Sequence, residues 1–441
     1  MTTSLSHASC PVGGGSPPGE GGERVPLYAP EFAADPHRAY RAMRSRYGSL
    51  VPVELSPGVP ATLVISYNTA IRILNDPSHF PADPRIWQQN IPADCPVLPI
   101  LQWRPIGSRN AGAEFERYRQ AITGSIDEVD LYALHDIVED IAVPLIDAFC
   151  QAGTADLISQ YASPLAFEVV GALLGSTPKI SQRAAKGMAA LFEGIDAEDG
   201  NRMLSEAMLE LVALKRAKAG NDVTSHLLRH PAQLDETEVI HQVTGFYGAG
   251  FELQQNLIGN ALLLMLTDDE FAGGVHTGSL STRDALDAVL FNDPPLANLC
   301  ATYPRQPVLL DNVWLPAHQP VLVSMAACNN DPAIRGVEHV GNRAHLAWGI
   351  GPHACPARSS AYLIAQDAID QLLDVLPEMT LSASAGEPAW RPGPFHRALA
   401  ALPVEFPVCR PSNTVRLPSI RVSNASDHRL VTPSQEPTIS N

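Results

Sequence analysis

The sequence has little positive charge. Lys and Arg number 30 among 441 residues, against 47 Asp and Glu, and the formal net charge is -17. No run of basic residues is dense enough to follow a phosphate backbone or an anionic membrane. Nucleic acid is therefore not an expected partner.

Long apolar runs are also missing. The longest, around Ala261 to Leu266, is far shorter than the ~20 residues that a bilayer-spanning helix needs. The first residues are rich in Ser, Gly and Pro and have no basic start before an apolar segment, so they do not resemble a secretory signal. We expect a soluble, cytoplasmic protein without a membrane partner.

Paired cysteines are absent. The cysteines are odd in number, widely spaced and without a Cys-x-x-Cys pair: Cys10, Cys95, Cys150, Cys300, Cys328, Cys355 and Cys409. A disulfide framework or a four-thiolate zinc site is therefore not expected. Six of them are interpreted as small core residues or free thiols, whereas Cys355 has a different setting.

The chain divides into two tails and one long central region. Residues 1–25 and 411–441 have compositions that cannot bury enough surface to fold, and we expect both to be disordered. Between them there is no long linker or internal repeat, which predicts one domain over 26–410. Apolar residues recur there mostly at helical spacing, and strands are predicted only near 51–67 and 308–325. The predicted class is mainly α with small β-sheets.

One predicted helix is unusually long. Asp235 and Glu238 form a capping box, and the apolar pattern continues without proline to about Thr267. Such a helix spans roughly 45 to 50 Å. Its apolar middle contains three glycines, each costing about 1 kcal/mol relative to Ala: Gly245, Gly248 and Gly250. We expect something flat or bulky to lie against it.

The segment His345–Arg358, HLAWGIGPHACPAR, carries the chemistry. Its glycines permit a tight bend that aims peptide N–H groups at a sulfur. Pro356 suits the first turn of a following helix, whose dipole and free N–H groups favour a thiolate at Cys355. Because only His353 lies nearby, a metal already held by a macrocycle fits better than zinc. A structural cysteine on a helix-capping turn remains the alternative.

This loop resembles the Phe-Gly-x-Gly-x-His-x-Cys-x-Gly pattern of the cytochrome P450 superfamily. The matching positions are Trp348, Gly349, Gly351, His353 and Cys355, with Ala357 in place of the last glycine. PLYAPEFAADPHRAYRAMRSRYG near the start, CNNDP at 328–332 and HRALAALPVEF near the end are similar to further family segments. The resemblance covers roughly residues 26–408. It is to soluble actinobacterial members, and especially to a subgroup that lacks the Glu-x-x-Arg motif.

The resemblance implies a single-domain triangular helical prism whose long helix crosses haem b, iron protoporphyrin IX. Cys355 would bind the iron, and His353 and Arg119 would bind the haem propionates. The family's histidine before Arg119 is replaced by Phe115. Arg305 is a weaker propionate candidate.

The sequence departs from the family at two places. Ala288 and Phe291 stand where the family has its Glu-x-x-Arg ion pair, which predicts a hydrophobic contact there. The stretch 332–345 also predicts an abbreviated loop. In the oxygen-activation motif the sequence has the candidate catalytic residues Ala249, Gly250 and Glu252, then Leu253 instead of a hydroxyl residue, then Gln254. Proton delivery would need water held by Glu252 or Gln254, or a substrate hydroxyl.

The resemblance implies a monooxygenase of secondary metabolism that acts on a small apolar substrate, with electrons from a ferredoxin and a ferredoxin reductase. The substrate is expected to contact the stretch Arg85 to Phe115, with Trp87 and Trp103, and the helix face of Phe246 and Ala249. Two alternatives stay open. One is a haem-binding regulatory or interaction protein, including one attached to a small-GTPase signalling complex. The other is a peroxide-dependent or isomerase-type enzyme.

Overall fold

The computed structural model of the chain describes residues 23–193, 197–268, 271, 280–334, 343–383 and 386–412. Helices dominate this part of the chain, and the predicted mainly α class with small sheets is confirmed. In chain order the helices are α1 (Pro30–Ala34), α2 (Pro36–Tyr47), α3 (Tyr67–Leu74), α4 (Leu98–Leu101), α5 (Gly112–Asp127), α6 (Leu131–Phe149), α7 (Ser163–Leu173), α8 (Pro178–Glu193), α9 (Ala197–Ala217), α10 (Val223–Arg229), α11 (Glu236–Thr267), α12 (Thr282–Asn292), α13 (Met325–Asn329) and α14 (Arg358–Val375).

The strands are short and form small sheets. In chain order they are β1 (Val25–Pro26), β2 (Leu50–Glu54), β3 (Pro60–Val64), β4 (Thr154–Asp156), β5 (Asn298–Thr302), β6 (Val308–Leu310), β7 (Val313–Leu315), β8 (Val321–Ser324), β9 (Thr380–Leu381) and β10 (Pro403–Glu405). A five-stranded sheet has the order β1-β2-β3-β8-β5, a second sheet has the order β4-β10-β9, and β6 pairs with β7. Asp311 and Asn312, both at positive φ, make the two-residue turn between β6 and β7.

The long helix α11 begins and ends where the sequence predicts. Asp235 Oδ1 accepts the backbone N–H of Glu238, and the Glu238 carboxylate accepts the backbone N–H of Asp235, both at 2.8 Å. This capping box satisfies two of the free N–H groups at the helix start. The helix then runs for 32 residues to Thr267. Its C-terminal half packs against α6, α7, α12 and α14 in the largest apolar core.

Other apolar clusters surround this core. One lies between the five-stranded sheet and α2, and another joins α7, α8, α9, α10 and α11. Among the described helices, none is both long enough and apolar enough to cross a bilayer. The predicted disordered tails lie almost wholly outside the described residues, and so does most of the stretch 332–345 that was predicted to be abbreviated.

The helix after the cysteine loop starts slightly later than the sequence predicts. Pro356 and Ala357 form a turn, and α14 begins at Arg358. The prediction placed Pro356 in the first helical turn. The difference arises because the loop first closes a 3-10 turn at Gly351–His353, which leaves Cys355 between two turns.

Candidate functional site

The loop around Cys355 is a tightly hydrogen-bonded bend. The backbone N–H of Cys355 donates to Trp348 O at 2.7 Å, and that of Gly349 donates to Leu346 O at 2.8 Å. Gly351 has a φ of +69°, and a Cβ there would lie 2.5 Å from the carbonyl oxygen of Leu74. A side chain at this position would therefore force the bend away from α3. The glycine requirement inferred from the sequence is thus steric as well as conformational.

The Cys355 thiol is set among groups that favour its anion. Burial raises the pKa of the thiol, whereas the backbone N–H of Ala357 and the charges of Arg119 and Arg358 act to lower it. The start of α14 supplies the Ala357 N–H, as the sequence predicted for a cysteine just before a helix. Burial is the largest of these effects, so the pKa of the thiol lies above its ordinary value.

Helix α5 carries Arg119 to the loop that contains His353, the other residue predicted to bind a haem propionate. Arg119 Nη2 donates to Ala354 O at 2.5 Å, next to Cys355. The ring of Phe115, which replaces the family's histidine, lies 4.3 Å from the ring of His353. Burial lowers the pKa of His353 to about 4, and Arg119 and Arg109 add to the effect. His353 is therefore neutral at pH 7 and able to donate a hydrogen bond.

Helix α11 carries an accessible stripe in the middle of the molecule. Ala249 is exposed, and Gly245 and Leu253, four residues away on either side, are half-buried. Tyr247 and Phe251 on the other face are buried. Since neighbouring helices pack around α11 on its buried sides, we infer that the stripe borders an internal space.

The stripe lies close to the start of α14. The Gln254 side-chain amide nitrogen donates to Ala361 O at 3.1 Å, so α11 is tied to the first turn that follows the cysteine loop. Ile106 contacts α11 at Gly245, where its side-chain carbons lie 3.6 to 3.7 Å from a Cβ placed on the glycine. Residues 103–110 thus close one side of the space, between α11 and α5.

The sequence reasoning missed two arginines in this closing segment. Arg109 donates to the carbonyl oxygens of Ile100 and Ser108, and no carboxylate in the described part of the chain pairs with it. Burial lowers the pKa of Arg109 and also that of Arg104. No motif marks either position, and only a basic pair in the otherwise apolar WRPIGSR stretch could have drawn notice. The weaker candidate, Arg305, is exposed.

These residues fit a haem. Arg109 and Arg119 both act on His353, and neither has a carboxylate partner among the described residues. Burying two cations without a counter-ion would be costly. The indole nitrogen of Trp348 is buried and has no hydrogen-bond partner among the described residues. In that same part of the chain, no group of three His, Cys, Asp or Glu side chains could hold a bare metal ion. A planar ligand with two carboxylates and an iron would compensate both arginines and Cys355.

The acid of the predicted proton relay is already paired. The Glu252 carboxylate is buried, accepts the side-chain amides of Gln255 at 3.0 Å and Asn256 at 3.1 Å, and forms an ion pair with Arg391. Leu253, beside it, contributes to the accessible stripe. The structure therefore places the apolar Leu253 side chain at the internal space and the Glu252 carboxylate on a buried side of α11. Gln254 points to α14 instead.

The region of the missing Glu-x-x-Arg pair contains a different ion pair. Phe291 is buried and packs edge-on against the ring of His345, with centroids 5.8 Å apart. Ala288 is half-buried. One residue earlier, Asp287 accepts from Arg343 Nε at 3.1 Å and from the Tyr362 hydroxyl at 3.0 Å. The sequence reasoning missed this pair because its partners come from distant segments.

Known proteins that are similar to this chain are named as cytochrome P450 monooxygenases or hydroxylases. The chain is 27% identical to the cytochrome P450 monooxygenase PikC of Streptomyces venezuelae over 85% of this chain and 92% of that protein. It is 25% identical to 6-deoxyerythronolide B hydroxylase of Saccharopolyspora erythraea, over 86% and 98% of the two chains. The structure of CYP154C4 from Streptomyces sp. W2061 superposes with a TM-score of 0.78, at 22% identity over 87% and 97%. No protein-family model matches the chain.

A mainly α fold with a cysteine in a glycine bend just before a helix is an arrangement that suits a thiolate-bound haem. The chain is similar along most of its length to bacterial cytochrome P450 monooxygenases, and it is an oxidoreductase of the monooxygenase type.

Proposed function

We propose that the chain holds haem b and inserts one oxygen atom of dioxygen into a small substrate with an apolar body. The observation that carries the proposal is the position of Cys355 at the start of α14, the helix that Gln254 ties to the accessible stripe of α11. A thiolate ligand lets bound haem activate dioxygen, with cleavage of the O–O bond. The other oxygen atom leaves as water, and two electrons and two protons balance the reaction.

The protein's own residues hold the cofactor and exclude water. In this proposal Cys355 is the iron ligand, Arg119 and His353 bind propionates, and Trp348, Gly349, Gly351 and Ala357 shape the loop. Charge-assisted hydrogen bonds from arginine to carboxylate suit this purpose. The buried faces of α11 keep bulk water from the substrate.

Proton supply is proposed to run through Glu252, beside Ala249 and Gly250, and not through Gln254, whose side chain points to α14. The Glu252 carboxylate accepts from Gln255, Asn256 and Arg391. A carboxylate offers about four acceptor positions, so one position remains for an ordered water. Such a water would have to pass Leu253, which neither donates nor accepts a hydrogen bond.

The test of this function begins with a spectrum. Protein expressed with haem, reduced and exposed to carbon monoxide, should show the strongly red-shifted Soret band of thiolate ligation. Addition of a ferredoxin and its reductase, the partners proposed here, should then yield a product labelled from 18O2. A protein that stays colourless after haemin is supplied, or that releases only peroxide, would contradict the proposal.

The apolar Leu253, together with the Glu252 carboxylate that is already paired with Arg391, favours a second candidate function. This candidate is a haem protein with little turnover that acts through binding. Haem-dependent co-purification with a protein partner, such as a small GTPase, and no labelled product would support it. A peroxide-dependent reaction needs no relay to bound dioxygen. Product formed with hydrogen peroxide, but not with ferredoxin, reductase and oxygen, would identify that chemistry.

A further inference from the structure

A second basic group lies at the N-terminal end of the accessible stripe. The Gln242 amide nitrogen donates to Pro105 O at 2.8 Å, which fixes the residues beside Arg104 against the α11 turn that contains His241. Asn110 donates to the carbonyl oxygens of Arg104 at 2.8 Å and Ile106 at 2.7 Å, so the backbone of this segment is held from both sides. The backbone at Arg104 is therefore held beside the turn of α11 that contains His241.

Neither side chain has a partner in the part of the chain that the structure describes. Both are half-buried. Burial lowers the pKa of Arg104, and burial together with Arg104 lowers the pKa of His241. Most other arginines of comparable burial have a carboxylate, as Arg397 has Asp293 at 3.0 Å. A desolvated cation without a counter-ion is costly, so the pair is built for an anion that arrives from outside.

This pair adjoins the propionate group, since the charge of Arg104 also acts on Arg109. Arg109 and Arg119 are the charges that act on His353 in the cysteine loop, whereas Arg104 is the one of these three arginines that acts on His241. His241 lies eight residues before Ala249, about 12 Å along the helix at 1.5 Å per residue. The spacing of four puts His241, Gly245, Ala249 and Leu253 on one stripe.

We propose that Arg104 and His241 bind the carboxylate of an organic acid whose apolar body lies along Gly245, Ala249 and Leu253. This inference rests on the monooxygenase function and names its substrate class. Arg104 supplies one positive charge in a bidentate geometry that matches a carboxylate. A neutral His241 adds a hydrogen-bond donor without a second charge. One charge and an apolar stripe suit a monoanion better than a phosphate.

The experiment is an optical titration of the haem-loaded protein. Dodecanoic acid and 4-phenylbenzoic acid are each compared with their methyl esters, and the shift of the Soret band on binding gives Kd. For at least one skeleton, we expect the acid to bind at least tenfold more tightly than its ester, which is about 1.4 kcal/mol. Arg104→Gln should abolish the preference and leave the ester's Kd unchanged, and His241→Phe should reduce it. Arg305→Gln is the control, since that side chain is exposed.

The outcomes distinguish failure of this inference from failure of the proposed function on which it rests. If the wild-type protein lacks the thiolate Soret band with carbon monoxide, the proposed function fails. If the band is present but neither acid is preferred over its ester, or neither shifts the spectrum, only the acid site is overturned. The same holds if Arg104→Gln and His241→Phe, with the thiolate band intact, bind the preferred acid as well as the wild type does. Should one variant not fold, the other decides.

Discussion

At the scale of single residues, Leu253 is the position that most affects chemistry. It lies on the accessible stripe of α11, whereas Glu252 next to it is buried and held by Arg391. A hydroxyl at 253 would be able to accept and donate a proton at the internal space, which leucine cannot do. Replacing Leu253 by a hydroxyl residue tests whether the proton relay lacks only this side chain.

We predict that Leu253→Thr raises the yield of product per electron pair by a few fold and lowers peroxide release. Threonine is tolerated in a helix because its hydroxyl can bond the carbonyl of the preceding turn. The measurement is product and peroxide against NAD(P)H consumed. Leu253→Val is the control, as it is branched in the same way without the hydroxyl. An equal gain in both variants would show that side-chain size, not proton transfer, limits the reaction.

Two thiols lie near the same bend, and only one is expected to bind iron. Cys300 Sγ is 3.9 Å from a Cβ placed on Gly349. Burial raises the pKa of Cys300 to about 11, with only Arg109 opposing it. Cys355 has the Ala357 N–H and two arginines. We predict that Cys355→Ser removes the red-shifted carbon monoxide band, whereas Cys300→Ser keeps it. Retention of the band in Cys355→Ser would refute thiolate ligation by Cys355.

At the scale of elements, the Asp287 pair links three segments around the cysteine loop. Asp287 lies on α12, Arg343 precedes the loop, and Tyr362 lies on α14 after it. The side chain of Asp287 is 3% exposed, while that of Arg343 is 44% exposed. Loss of Arg343 would therefore leave the buried Asp287 carboxylate with the neutral Tyr362 hydroxyl as its donor. Leaving a buried charge without its ionic partner costs more than leaving an exposed one.

Accordingly, Arg343→Met should lower the free energy of unfolding by about 1–3 kcal/mol, measured by urea denaturation of the haem-loaded protein. Arg283→Met is the matched control. Arg283 stacks over the Tyr362 ring at 5.6 Å without pairing with Asp287, so its removal should cost about 0.5–1 kcal/mol. Equal effects from the two variants would mean that the Asp287 pair contributes no more than a surface contact.

The elements differ in how far the sequence predicts them. The capping box and apolar period of α11 are local, and the bounds of that helix follow from them. The loop motif likewise predicts that Arg119 and His353 meet beside Cys355. Arg104, Arg109 and the Asp287–Arg343 pair could not be predicted, because each depends on segments that are brought together only by packing. The pairing of Glu252 with Arg391, 139 residues later, belongs to the same class.

At the scale of the whole molecule, buried histidines set the response to acid. Burial lowers the pKa of His345 to about 4, and it also lowers the pKa of His241 and His396. His135 is the opposite case, since Asp367 raises its pKa. The His345 ring accepts the backbone N–H of Ala347 at 3.3 Å and packs on Phe291, so the native protein needs it neutral.

A folded pKa below the unfolded value means that the folded state binds fewer protons, so stability falls as pH falls. For His345 the stability is fully present above pH 6.5 and is lost between pH 6.5 and about 4. We predict that His345→Asn, which keeps an acceptor for Ala347, makes the loss of unfolding free energy between pH 6.5 and 5 smaller by about 1.5 kcal/mol. Urea midpoints at the two pH values measure it. His318→Asn is the control, at a turn residue. If the unfolding free energy of the wild type and of His345→Asn depends on pH with the same slope, His345 does not govern this pH range. The other buried histidines would then have to account for unfolding in acid.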